Sequence, residues 1–226
     1  FDSVGAPSTW VLNNHDVVRH ASRFGGDYGR ATASDGIGPE NPQPDSLLGI
    51  TLARASTLFM LGLPGASYLF QGEELGLPEH TTLEPEYRQD PTFFRTGGQR
   101  VGRDGCRVPL PWEQESPSLG FGPSETSWLP QPESYKPLAR DAQEQSPTST
   151  LSLYKQALSL RKELKLGEGS FDWVSTGDLL SYQNQGVIVV HNFGQDAELP
   201  LGEILISSDP DQGETLRANQ TLWLKV

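Results

Sequence analysis

Cysteine is almost missing: Cys106 is the one cysteine in 226 residues, which excludes an internal disulfide and any metal site built from several thiolates. That usage is compatible with a reducing compartment, and the cytoplasm is the expected location. Basic charge is scarce as well, with 17 Lys and Arg against 29 Asp and Glu and a formal charge of -12. Nucleic-acid affinity rests on clustered cations that neutralise phosphates, so no nucleic-acid partner is expected. Long apolar runs are also lacking. The longest mostly apolar stretch, Leu58 to Phe70, contains Gly62, Pro64 and Gly65 and falls short of the roughly 20 residues that span a bilayer, so no membrane partner is expected either. The first residue is Phe1 and the single Met is Met60. With no basic segment followed by an apolar one, Phe1 reads as a cut in a longer chain rather than a targeted N-terminus.

What is plentiful is glycine (24) and proline (18), while hydrophobic residues make up 35% of the chain, below the usual globular share; this predicts many turns and long loops. Thr9 to Leu12 reads as a short buried strand, ended by Asn13, Asn14, His15 and Asp16, which cannot continue a dry strand. A glycine-rich loop follows (Gly25, Gly26, Gly29), and then Asp45 is placed to cap a helix from about Ser46 to Leu61 with Leu47, Leu48, Leu52, Ala55, Leu58 and Phe59 near the helical period. Ala66 to Phe70 reads as a second buried strand ended by Gln71-Gly72-Glu73-Glu74. Strand, helix, strand with polar groups at the strand ends is the signature of a parallel sheet, whose sites lie beyond the carboxyl ends of its strands.

Residues 76–147 form a connection rich in Pro, Gly and charge. A structureless loop of that length is improbable in a compact domain, so it is expected to build a site or to hide short elements. A helix is expected from about Ser149 to Leu164, with Arg161 and Lys162 favourably placed near its C-terminus. From Phe171 the pattern turns to short alternating runs, Leu179 to Tyr182, Val187 to Asn192, Ala197 to Leu199, Glu203 to Ser207 and Gln220 to Val226, separated by turn signals. These predict a small antiparallel module, with a domain boundary near Gly167 to Ser170.

Three places carry residues suited to chemistry. His15-Asp16, where strand meets loop, pairs an imidazole and a carboxylate able to bond adjacent sugar hydroxyls; read alone, the dipeptide fits better a His satisfied by local backbone and an Asp capping a loop. Glu73 and Glu74 invite comparison with the paired acids of glycosidases, but adjacent side chains in an extended segment point to opposite faces, which favours a structural role at the strand end. Arg107, with Trp112 five residues on, combines a planar fork for vicinal hydroxyls with an apolar sugar-contacting face, or else forms an ordinary salt bridge. Cys106 has no partner that would make it a nucleophile. His20 belongs with the first loop, His80 and His191 show no constellation, and four scattered histidines predict no metal site.

Four blocks together resemble the α-glucosidases of glycoside hydrolase family 13, the α-amylase superfamily. Trp10-Val-Leu-Asn-Asn-His-Asp-Val-Val-Arg-His-Ala-Ser-Arg-Phe-Gly25 is similar to the family's seventh-strand motif. Gly65-Ala-Ser-Tyr-Leu-Phe-Gln-Gly-Glu-Glu74 is similar to the eighth-strand motif, with Ala66-Ser67 for Thr-Pro and Phe70 for Tyr. Arg103-Asp-Gly-Cys-Arg-Val-Pro-Leu-Pro-Trp112 resembles the block Arg-Asp-Gly-x-Arg-Thr-Pro-Met-x-Trp of oligosaccharide hydrolases, and Ser149 to Lys162 resembles the helix that closes the barrel.

The resemblance implies an α/β fold: the last two βα units of a (β/α)8 TIM barrel in residues 1–166, with the site-forming loop 76–147, and a small antiparallel β-sandwich domain in residues 167–226. It implies a retaining glycosidase acting on terminal α-linked glucose of short α-glucosides such as maltose, whose nucleophilic Asp and acid/base Glu follow upstream strands. Asp16 would then stabilise the transition state, His15 would bind ring hydroxyls, and Arg107, paired with an upstream Asp, would recognise the non-reducing glucose. No cofactor is implied; a calcium ion, where the family has one, would belong to the upstream barrel loops. The implied partners are an α-gluco-oligosaccharide or disaccharide and the remainder of the same barrel. The alternatives are a glucosyl transferase or isomerase of trehalose synthase or sucrose isomerase type, and a barrel scaffold without catalysis.

Overall fold

The computed structural model describes residues 4–27 and 35–226; Phe1 and Gly29 lie outside them. In chain order the elements are β1 (Thr9–Val11), α1 (His20–Arg23), α2 (Ser46–Leu61), β2 (Ala66–Tyr68), α3 (Pro91–Arg95), α4 (Arg140–Glu144), α5 (Thr150–Glu163), and strands β3 (Asp172–Thr176), β4 (Leu179–Asn184), β5 (Val187–Asn192), β6 (Ala197–Glu198), β7 (Glu203–Ser207), β8 (Thr215–Leu216) and β9 (Thr221–Lys225). The chain divides into two compact units. One gathers the chain up to Leu12 with Thr51–Tyr68 and Ser152–Val226, the other Asn13–Ile50 and Leu69–Leu151.

In the first unit β1 and β2 pair in parallel, Thr9 with Ala66 and Val11 with Tyr68. The Trp10 indole N–H donates to the Pro64 carbonyl at 2.6 Å. The expectation of buried strands is not met here, since Val11 is 53% and Tyr68 64% exposed. The reason is topological: among the described residues the two strands make a sheet with two open edges, and the face carrying Val11 and Tyr68 is uncovered while Trp10 packs against the core. The described α2 likewise buries Ala53, Ala55, Thr57, Leu58, Met60 and Leu61, while Leu47 and Leu48 of its expected apolar face are exposed.

The five-stranded antiparallel sheet has the order β3-β4-β5-β9-β7. Gln185 and Gly186 both have positive φ between β4 and β5, the twist-matched turn that suits a two-residue hairpin loop. This sheet packs on α2 and α5 through Leu58, Leu61, Leu153, Ala157, Tyr182, Val189 and Trp223. Polar side chains finish the contact. Trp223 donates its indole N–H to Leu58 O at 2.9 Å, Thr221 donates to Ala55 O at 2.8 Å, and Arg161 of α5 donates to Leu63 O at 2.6 Å and also to Leu61 O and Gly65 O. A cation at the last carbonyls of α2 satisfies acceptors that the helix itself leaves open. Gly62 is a point of close approach, because a methyl there would lie 2.5 Å from the Tyr182 hydroxyl. The β6–β8 ladder contributes Leu216 to a smaller core with Val190, Leu222 and Leu224. Strands β3 and β8 have no counterpart among the runs read from sequence. β3 is a mostly exposed edge strand and β8 is two residues long, so neither leaves a burial pattern.

The second unit shows what the long connection hides. Besides α3 and α4 it holds 3₁₀ turns at Pro85–Tyr87, Asp104–Cys106 and Glu133–Leu138, and a left-handed turn at Pro117–Gly120 where Ser118 and Leu119 have positive φ. It also has a core of its own in Leu75, Leu77, Leu83, Val108, Leu110, Leu129, Tyr135 and Leu151. Buried Gln143 ties this core to backbone, donating to Leu75 O at 2.8 Å and accepting from Leu151 N–H at 3.1 Å. The start of α2 is set by Asp45, whose carboxylate accepts the N–H groups of Leu47 and Leu48, both at 2.9 Å. No helix among the described residues is long and apolar enough to cross a membrane.

Candidate active site

The polar run after β1 folds into a tight loop because Asn14 Oδ1 accepts the Asp16 N–H at 2.8 Å, the local bond that asparagine offers where a strand stops. This projects Asp16, half exposed, toward the turn around Asp104–Cys106. One carboxylate oxygen, Oδ1, accepts from Arg103 Nη1 at 2.7 Å and from Arg107 Nη2 at 3.1 Å. The other, Oδ2, lies 3.5 Å from His15 Nε2. The residues singled out in the sequence, His15, Asp16 and Arg107, therefore meet in one cluster. Arg107 also donates from Nε to the His15 carbonyl at 2.9 Å. Among the described residues its carboxylate partner is thus Asp16 of this chain.

Arg103, which opens the Arg103–Trp112 block, is central to the cluster. Its Nε donates to Asp90 Oδ2, its Nη1 to Asp16, and its backbone N–H also reaches Asp90 at 3.0 Å. Asp90 is buried and caps α3 through the Thr92 N–H at 2.8 Å. Burial alone would raise its carboxyl pKa, but the hydrogen bonds from Arg103 and Thr92 outweigh that and hold it well below the usual carboxylate range. Asp90-Pro91-Thr92 carries the local chemistry of a helix start, which the reading of residues 76–147 as a long connection does not include; the reach of Asp90 to Arg103, 13 residues on, has no local signal. The adjacent Asp104 accepts the N–H groups of Gln89 and Asp90 at 2.9 Å each, locking the same turn.

Beneath the cluster lies a buried layer. Arg19 is fully buried, donates to Gln71 O at 2.9 Å and lies 4.9 Å over the Phe70 ring. Glu79 accepts the Arg19 backbone N–H at 3.0 Å, and burial pushes its carboxyl up to about 7 against the opposing pull of Arg19, Arg88 and Arg23. Glu79 stands in no motif, and no local pattern marks it in the sequence. The structural reading of the two neighbouring glutamates agrees with the geometry: Glu73 is buried and accepts the Phe70 N–H at 3.1 Å, and Glu74 accepts the Gly72 N–H at 2.8 Å.

Cys106 is buried and burial raises its thiol to about 12, so it is no nucleophile; its Sγ contacts the Arg103 carbonyl at 3.1 Å. His20 opens α1 and burial lowers its pKa to about 3, while His80 and His191 are each lowered to about 4 by burial. Trp112 is 44% exposed, and no hydrogen bond or ring contact described ties its side chain to the Asp16 cluster.

Residues 3–169 match the alpha amylase catalytic domain. The chain belongs to the α-amylase family. Its relatives are α-glucoside enzymes by name: it is 35% identical over 201 residues to a probable alpha-glucosidase of Rhizobium meliloti, covering 85% of this chain and 33% of that protein. It is 28% identical to the oligo-1,6-glucosidase of Parageobacillus thermoglucosidasius, covering 91% of this chain and 39% of that one. The fold aligns with the trehalose-6-phosphate hydrolase of Bacillus licheniformis at a TM-score of 0.72 and 23% identity, over 98% of this chain and 43% of that one. It aligns with an α-glucosyl transfer enzyme at a TM-score of 0.67 and 27% identity, over 96% of this chain and 40% of that one. This α-amylase family chain therefore spans between a third and two fifths of the length of these curated relatives.

Proposed function

We propose that the complete protein removes terminal α-linked glucose from short α-glucosides such as maltose by a retaining mechanism, with Asp16 as transition-state stabiliser and His15 and Arg107 as substrate-binding residues. The observation that carries this reading is the clamped Asp16 carboxylate, held on Oδ1 by two guanidinium groups and flanked on Oδ2 by an imidazole. The two guanidinium groups fix the orientation of the carboxylate. As positive charge builds on a flattening sugar ring, hydroxyl groups on that ring become better donors, and a fixed anionic acceptor gains most in the transition state. The nucleophile and the acid/base belong, on the family resemblance, to upstream strands that form one barrel with residues 1–166, leaving residues 167–226 as the C-terminal β domain. The names of the curated relatives, glucosidases and maltases, support hydrolysis over transfer.

The test is Asp16→Asn in the complete protein, assayed on maltose and a nitrophenyl α-glucoside. A fall in kcat of about 10²–10³-fold or more with an unchanged circular dichroism spectrum is expected; turnover near that of the unchanged protein overturns the reading. A transfer reaction is kept as a second reading by the α-glucosyl transfer enzyme, 27% identical. Product analysis separates the two, since hydrolysis yields free glucose and transfer yields a new disaccharide.

A further inference from the structure

Residues 79 and 80 touch both arms of the Asp16 cluster. On one side Glu79 Oε2 accepts the backbone N–H of Arg19, three residues after Asp16, at 3.0 Å, and the Glu79 N–H donates to Ser22 Oγ at 2.8 Å. On the other side lies Gly105, midway between Arg103 and Arg107. The His80 N–H donates to the Gly105 carbonyl at 3.1 Å, and a methyl on Gly105 would sit 2.6 Å from Glu79 Oε1 and 2.8 Å from the His80 carbonyl. Glycine is therefore what lets the turn carrying both arginines lie directly on this carboxyl group. Glu79 is buried, and Oε1 accepts no hydrogen bond among the described residues.

We infer that Glu79 is a positioning residue: it is the strut that holds the loop bearing His15 and Asp16 against the turn bearing Arg103 and Arg107, and so sets the geometry with which the carboxylate meets the two guanidiniums. This rests on reading that cluster as the sugar site. A buried carboxyl with one firm acceptor bond and one oxygen in van der Waals contact is a poor choice for stability alone, since burying it costs more than an apolar side chain of the same shape. Its surroundings fit a group kept for geometry. Arg19 and Arg23 face it from α1 and its N-terminal cap, Arg88 from the turn after Pro85–Tyr87, and Cys106 and Tyr135 lie within electrostatic reach. A displacement of about 1 Å in a positioned group is enough to lower a rate by about 10²-fold.

The experiment compares Glu79→Gln and Glu79→Ala in the complete protein. Gln keeps an acceptor for the Arg19 N–H and fills the space beside Gly105; Ala does neither. On a nitrophenyl α-glucoside, kcat per folded molecule is expected to fall at least 10-fold in Glu79→Ala, with a smaller change in KM, and to return to within about 3-fold in Glu79→Gln. Amide hydrogen exchange at Arg19 should accelerate in the Ala variant and stay slow in the Gln variant. A Glu79→Ala protein that is folded with kcat per folded molecule intact overturns the inference, as does a Gln variant no better than Ala. If the Ala variant does not fold, Glu79→Asp, which withdraws the carboxyl from both contacts, carries the same comparison. If the unchanged complete protein does not act on α-glucosides, the functional reading fails on its own; the exchange at Arg19 and the Asp16–Arg103 distance in a crystal structure of each variant still decide whether Glu79 holds the two arms together.

Discussion

At the scale of the residue, the same carboxyl chemistry takes three forms within one unit, and the environment decides which. Asp16 is half exposed between cations, where it stays available to a ligand. Asp90 is buried but multiply hydrogen-bonded, and its pKa falls. Glu79 is buried with fewer bonds, and its pKa rises from 4.5 to about 7. For Glu79 the folded state holds its proton more tightly than the unfolded chain does, so its contribution to stability is intact below about pH 4.5 and is lost as the pH climbs through 7. The loss amounts to about 3 kcal/mol at most. Glu79→Gln has nothing to titrate there. Its stability in urea should therefore decline less between pH 5 and pH 8 than that of the unchanged protein. Equal slopes for the two proteins would show that the folded-state carboxyl ionises like a free one.

At the scale of the element, helix starts and the longer alternating strands were legible because they depend on local chemistry. The sequence places Asp45 as the cap of a helix from about Ser46 to Leu61, and α2 spans Ser46–Leu61. The turn signals between the alternating runs include Asn184-Gln185-Gly186, which joins β4 to β5. What differs is the first turn of the expected face: Leu47 and Leu48 fit the periodicity yet are exposed, while Ala55 and Leu58 are buried and Leu52 and Phe59 half-buried. Periodicity marks an apolar stripe but not whether anything covers it. The first turn of α2 is instead fixed by Gly49, where a methyl would lie 2.0 Å from the Ala21 carbonyl oxygen. Gly49→Ala should gain helix propensity and still destabilise, by about 1–3 kcal/mol, because a backbone carbonyl has to move. A thermal midpoint at or above that of the unchanged protein would show that α1 and α2 are not packed this closely.

At the scale of the whole molecule, the described chain leaves apolar surface uncovered within its first unit. An apolar groove of about 300 Å³ is lined by Trp10, Leu12, Leu52, Phe59, Met60 and Phe193, among others, and both edges of the β1–β2 pair are open. Surfaces of this kind drive association unless a partner covers them. The purified 226-residue chain is accordingly expected to bind an apolar dye and to sediment as a mixture of oligomers, and co-expression with the upstream barrel segment of an α-glucosidase relative should suppress both. A monodisperse monomer that ignores the dye would contradict this.

The sequence by itself determined the residue types at the strand ends, the caps and turns, and the motif blocks whose spacing points to the α-amylase family, because each of these is written in consecutive residues. It also marked His15, Asp16 and Arg107 as candidates. Only the tertiary structure decided that Arg103 and Arg107 converge on one oxygen of Asp16 from 87 and 91 residues away, that Asp90 anchors Arg103, and that Glu79 lies beneath both arms. Those facts depend on how distant segments fold onto one another, and no local pattern in a single chain encodes a distance between residues that far apart.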